Sequence, residues 1–230
     1  MAPNGDFIKT TLVKVWVSDF SCGPDGVIVA GSPDSESSEY RVGTLDLETG
    51  RITRFFGQTT YWPARFQDKK MTYDFPYLVR WALSSTNKLL VGSAVDYEIS
   101  VMNLRGDLEF KFKKDRERIP VQGEMLKKIT SRPLMGPNPF MQNLYYPVFE
   151  SLAIDESDRV WVQHYQPKWT DRINQETPYD VYSPEGIFLF ETRIPGHIFS
   201  KLVFKNGFIY ALKRTDSGYP KAVRLKFEEE

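Results

Sequence analysis

The stretch VRWALSSTNKLLVGSAVDYEISVMNLRGDLEFKFK, residues 79–113, decides the fold. It divides into short apolar runs of strand length, each with the alternation of a half-buried strand rather than the 3.6-residue period of a helix. Thr86-Asn87-Lys88 separates the first pair of runs, and Arg105-Gly106 separates the second. Both are turn signals, so the stretch reads as two hairpins in series, a four-stranded meander.

Working outward, the same phrase returns. Val27–Ala30 (VIVA), Val160–Val162 in RVWVQH and Phe208–Leu212 (FIYAL) each follow a turn marker, respectively Pro24-Asp25-Gly26, Glu156-Ser157-Asp158 and Lys205-Asn206-Gly207. A second hairpin lies downstream in TLDLETGRITRF around Thr49-Gly50 and in DVYSPEGIFLFE around Glu185-Gly186. The meander therefore occurs in full at residues 19–57, 79–113 and 149–194, and without its fourth strand at 198–227. Repeated four-stranded units hide their edges by radiating about an axis. The expected class is all-β, a β-propeller of four-stranded antiparallel blades with about four visible, in one domain spanning 1–230. Thr11–Val17 (TLVKVWV) is read either as the strand that closes the ring on the last blade or as the remnant of a preceding blade. The connections 58–78 and 114–148 are long, and Gly123–Ile129 (GEMLKKI) is expected to form a short helix.

Composition removes several functions. Thirty basic side chains balance thirty acidic ones, which leaves no long-range field for phosphate backbones, so no nucleic-acid partner is expected. Cys22 is the single cysteine, and His164 and His197 are the two histidines; they cannot make a four-ligand cysteine/histidine zinc site or an internal disulfide. No cofactor and no metal are expected. No apolar window reaches the length of a membrane span. Met1–Asp6 lacks a basic and then apolar leader, which reads as cytoplasmic if Met1 is the natural start.

Four phrases together resemble the bacterial six-bladed β-propeller proteins related to NHL-repeat and TolB-like propellers. They are YLVRWALSSTNKLLVGSAVDYEISVMNLRGDLEFKFKKD, YYPVFESLAIDESDRVWVQHYQ, YDVYSPEGIFLFETRIPG and FKNGFIYALKRTDSGYPKAVRLKF, within residues 75–227. The resemblance implies the C-terminal blades of a six-bladed ring, a periplasmic or exported location if an N-terminal part is missing, and a binding or scaffold role more readily than chemistry.

Candidate site residues follow from the loops. Tyr61-Trp62-Pro63-Ala64-Arg65-Phe66 places stacking faces beside a cation, as a sugar, peptide or single-stranded nucleic-acid platform would, and the balanced net charge removes the electrostatic half of the nucleic-acid argument. Arg80 and Trp81 open an inner strand, and Tyr146 precedes another. His164 ends WVQHY, where it is read as a pocket residue beside Tyr165, Lys168 and Trp169. The ligand-binding set is thus Trp62, Arg65, Arg80, Trp81, Tyr146, His164 and Trp169, with no catalytic residue assigned. His197 is expected in solvent, the basic run after Phe110 is expected on a solvated strand edge, and the acidic tract Pro33–Glu39 is expected as a solvated loop. The leading function is a noncatalytic propeller that engages a peptide, glycan or partner protein through long loops on one face. The rival is a propeller hydrolase or lyase with its site in the axial channel.

Overall fold

The structure is a computed structural model that describes residues 17, 19–23, 26–34, 39–60, 79–94, 96–123, 145–166 and 176–226. Among the described residues fifteen strands form four antiparallel sheets in chain order. The first holds β1 (Asp19–Cys22), β2 (Ile28–Asp34), β3 (Glu39–Asp46) and β4 (Arg51–Thr60); the second holds β5 (Val79–Leu83), β6 (Lys88–Ser93), β7 (Glu98–Asn103) and β8 (Leu108–Lys113). The third holds β9 (Phe149–Ile154), β10 (Val160–His164), β11 (Thr177–Tyr182) and β12 (Phe188–Ile194). The fourth holds β13 (Val203–Lys205), β14 (Phe208–Arg214) and β15 (Pro220–Lys226). The sheets are the blades of a four-bladed β-propeller, with three strands described in the last. Among the described residues no helix is long and apolar enough to cross a membrane.

The turns explain why these residues alternate direction where they do. Asp46, Asn103 and Ser183 each open the second hairpin of a blade and accept the backbone N–H two residues on, at 2.7, 2.8 and 3.2 Å. Such side chains mimic a backbone turn. Each is followed by a glycine in left-handed conformation, Gly50, Gly106 and Gly186, where an L side chain would be strained. In all three blades the register shifts at the third strand, at Val42–Thr44, Val101/Met102 and Val181/Tyr182. The repeat is therefore one of backbone geometry as well as of apolar pattern.

An inner strand serves two seams. Val160 and Val162 of β10 enter a cluster with Leu90, Ile99 and Phe149 of the second and third blades, while Trp161 between them enters one with Tyr179, Ile209 and Ala211 toward the fourth. This explains why every residue of β10 is buried. A third cluster joins Val29, Tyr40 and Val42 of the first blade to Trp81 and Leu89 of the second. Outer strands β8, β12 and β15 alternate exposed and partly covered residues instead.

Across the remaining seam, between the fourth and first blades, the described residues give a different contact. Lys201, just before β13, pairs with Asp19 of β1, and its ammonium stands 4.2 Å over the Trp81 ring. Phe20 and Phe55 of the first blade and Val203, Tyr210 and Leu212 of the fourth are exposed.

Several expectations change. His197 is buried, 2% exposed, rather than in solvent, because the connection between the third and fourth blades folds under β14, with Arg214 donating to the His197 carbonyl at 3.1 Å. Pro33, Asp34 and Glu39 belong to β2 and β3, which extend the hairpin beyond the expected loop. Thr11–Trp16 and the expected helix beyond Gly123 lie outside the described residues.

Candidate functional site

Tyr179 and Val181 on β11 point toward the fourth blade, so the alternate positions Asp180 and Tyr182 face the second. Asp180 is fully buried. Tyr97, just before β7, donates its hydroxyl to Asp180 Oδ2 at 2.5 Å, and Lys114 Nζ donates to Oδ1 at 2.8 Å. His164 Nε2 lies 3.0 Å from Oδ2, within ion-pair reach, but its N–H direction makes no aligned hydrogen bond. Tyr182 donates to the Tyr97 hydroxyl at 3.1 Å.

Burial pushes the Asp180 carboxyl up, yet His164, Lys114 and Tyr97 outweigh it and hold the group well below the usual carboxylate range. Burial, reinforced by Tyr182 and Asp180, drives the Tyr97 hydroxyl far above the usual phenol range; burial also pushes Tyr182 up to about 12, against the Tyr97 hydrogen bond that lowers it. The result is a fixed anion with two phenols that stay protonated. Tyr97 adopts a φ of 48°, a conformation rare for an aromatic residue. Its edge-on contact with Phe149 at 5.4 Å and its hydroxyl bonds hold it there.

His164 and Lys114 of this cluster line an open cleft of about 370 Å³ between the second and third blades. Lys114 and Arg116 enter from the residues after β8, His164 and Gln166 from the end of β10, Glu176 and Pro178 from the start of β11, and Glu191 and Arg193 from β12. Gln166 Nε2 is committed to the Glu176 carbonyl at 3.0 Å. Three cations and two carboxylates thus face one opening, and among the described lining residues there is no hydroxyl or thiol nucleophile. Such a wall can hold a ligand bearing both signs of charge.

A second cleft of about 240 Å³ lies at the opposite end, between the third and fourth blades. Its acids are occupied structurally. Asp155 accepts from Ser157 N, Arg159 N, Arg159 Nε and Trp161 Nε1 at 2.6–2.9 Å. Glu156 reaches across to the fourth blade and accepts from Asn206 N at 2.7 Å and Gly207 N at 2.9 Å.

Of the residues singled out in the sequence, His164 lines the first cleft. Tyr146 stacks on Tyr165 at 5.3 Å. Arg80 donates to the Glu150 carbonyl at 2.5 Å, tying β5 to β9, and Trp81 is 2% exposed within the first seam. Trp62, Arg65 and Trp169 lie outside the described residues. Asp180, Tyr97, Lys114, Arg116 and Glu191 were not singled out. Lys114 and Arg116 belong to the basic run expected in solvent, and the fold turns both into the cleft.

Fold and cleft together define the class: an all-β, four-bladed propeller with a charged interblade cleft. No family model matches the chain, and no curated protein does. Among solved structures it is similar to hydrazine synthase of Kuenenia stuttgartiensis, at 12% identity over 97% of this chain and 49% of that one, with a TM-score of 0.47. It is also similar to puromycin hydrolase, at 12% identity over 92% of this chain and 27% of that one, TM-score 0.47. A third is a catalytically inactive virginiamycin B lyase of Staphylococcus aureus with quinupristin, at 14% identity over 88% of this chain and 53% of that one, TM-score 0.40. The chain thus spans about half the length of these structures or less. The propeller assignment stands on the chain's own sheets.

Proposed function

We propose that the protein is a noncatalytic propeller binding protein whose cleft between the second and third blades engages a mixed-charge peptide segment. The observation that carries this reading is the convergence of Lys114, Arg116, Arg193, Glu176 and Glu191 on one opening, against a wall fixed by Asp180. A ligand with both charges pairs with both sets, whereas a neutral glycan leaves them unmatched. In this reading the connections bearing Trp62, Arg65 and Trp169 extend the footprint, and Arg80 and Trp81 on β5 and Tyr146 just before β9 support it. The chain acts as one domain, and the shared hairpin turns support descent from six-bladed NHL-like or TolB-like propellers.

The test is selection from a display library of short peptides. Wild type should enrich sequences carrying both acidic and basic side chains, and the double variant Arg116→Glu, Arg193→Glu should lose that enrichment. Equal enrichment by both proteins overturns the reading.

One observation favours the rival enzyme, the approach of His164 to a buried carboxylate, since an acid-oriented imidazole is a general base. Among the described lining residues no hydroxyl or thiol stands for it to activate, which favours binding. Recovery of the captured peptides intact supports the binder; cleavage that disappears in His164→Ala supports the hydrolase.

A further inference from the structure

We propose that His164, Asp180 and Glu191 form a binding site for one divalent transition-metal cation, with Zn²⁺ as the ion its donors suit. They stand on three consecutive strands of one blade, β10, β11 and β12, and Asp180 and Glu191 are direct partners in register. One donor atom from each lies within 4.8 Å of the others. Around a tetrahedral zinc with bonds near 2.0–2.2 Å, donors sit about 3.5 Å apart, so rotation of the exposed Glu191 side chain closes the set without moving backbone.

A second observation points the same way. His164 is 4% exposed, and its buried Nε2 has no hydrogen-bond partner although it faces Asp180 at 3.0 Å. Nitrogen and carboxylate already face each other as an ion pair across this gap, and a cation bound by both replaces that contact with two ligand bonds. The Tyr97 hydroxyl on Asp180 is the outer-sphere donor that orients a ligating carboxylate. One imidazole with two carboxylates suits zinc better than the all-oxygen shells of calcium or magnesium. The remaining position opens to the cleft, where water or a ligand group completes the set. Lys114 competes: its ammonium is 2.8 Å from Asp180 Oδ1, so ion and ammonium exclude one another. The lysine side chain is 34% exposed and can swing into the cleft when the ion enters.

The test uses zinc alone, so its outcome is independent of the peptide reading. Metal-free protein is dialysed against Zn²⁺, with competition by a chromophoric chelator. Wild type should take up one ion per chain; Glu191→Gln should weaken uptake by about tenfold or more, His164→Ala should abolish it, and Lys114→Met should tighten it. Melting curves without metal verify the fold, and the exposed Glu191 variant carries the test if His164→Ala unfolds. No saturable uptake by wild type and by Lys114→Met, or uptake unchanged in both Glu191→Gln and His164→Ala, overturns the site.

Discussion

Asp180→Asn keeps the shape of the side chain and removes the charge to which Lys114 and Tyr97 are committed. Breaking a buried, hydrogen-bonded pair costs about 3 kcal/mol, so the variant's urea midpoint should fall by the equivalent amount at neutral pH. Glu156 acts in the opposite setting, on the surface. The Gly207 and Asn206 N–H groups hold its carboxyl below the ordinary 4.5. A carboxyl depressed by folding stabilises the protein above its unfolded value and ceases to do so as pH falls through the folded one. Glu156→Gln should therefore lower the melting temperature near neutrality and leave wild type and variant converging as pH drops below about 4.5. His164 was legible as a candidate because histidine is scarce in this chain and the residue ends an apolar strand. Asp180 was not, because its partner Tyr97 is 83 residues away and only the packing of two blades brings them together.

At the scale of the element, the hairpins were legible because their turns demand particular residues. Asn87 and Asp158 adopt φ of 62° and 57° in the first turns, and Asn and Asp tolerate that region best among side chains. What the strands face could not be read this way. In β10 the alternation of VWVQH looks half-buried, yet both faces are covered because a propeller blade packs on two neighbours. Gly92 on β6 shows how tightly. A methyl group there would come 2.7 Å from the Phe149 ring, with Leu152 and Ile99 close behind, and Phe149 is fully buried with no room to retreat. Gly92→Ala should destabilise by about 1–3 kcal/mol from overpacking, measured by chemical denaturation. Gly26→Ala is the contrast: it has open space around it but a φ of 75°, so its cost is backbone strain with no change in the packing between blades.

At the scale of the whole molecule, four blades were legible from repetition, while the way they meet was not, because seam partners are distant in sequence. Three seams hold buried apolar clusters, and the fourth shows, among the described residues, the Lys201–Asp19 pair with side chains 35% and 37% exposed. An ion pair that exposed contributes at most about 1 kcal/mol, a small reserve to which the contact of Lys201 with the Trp81 ring adds. Lys201→Ala should therefore leave β9 and β10 protected and speed amide exchange in β1 and β13, read by hydrogen exchange with mass analysis; uniform change across all blades would refute a locally weak seam. The two kinds of joint also obey different solvents. Added salt screens the ionic clasp and hardly touches the apolar seams, whereas cooling loosens the apolar seams and spares the clasp. Salt and cold thus act on different joints of the ring: ionic strength on the Lys201–Asp19 clasp, cold on the three apolar seams.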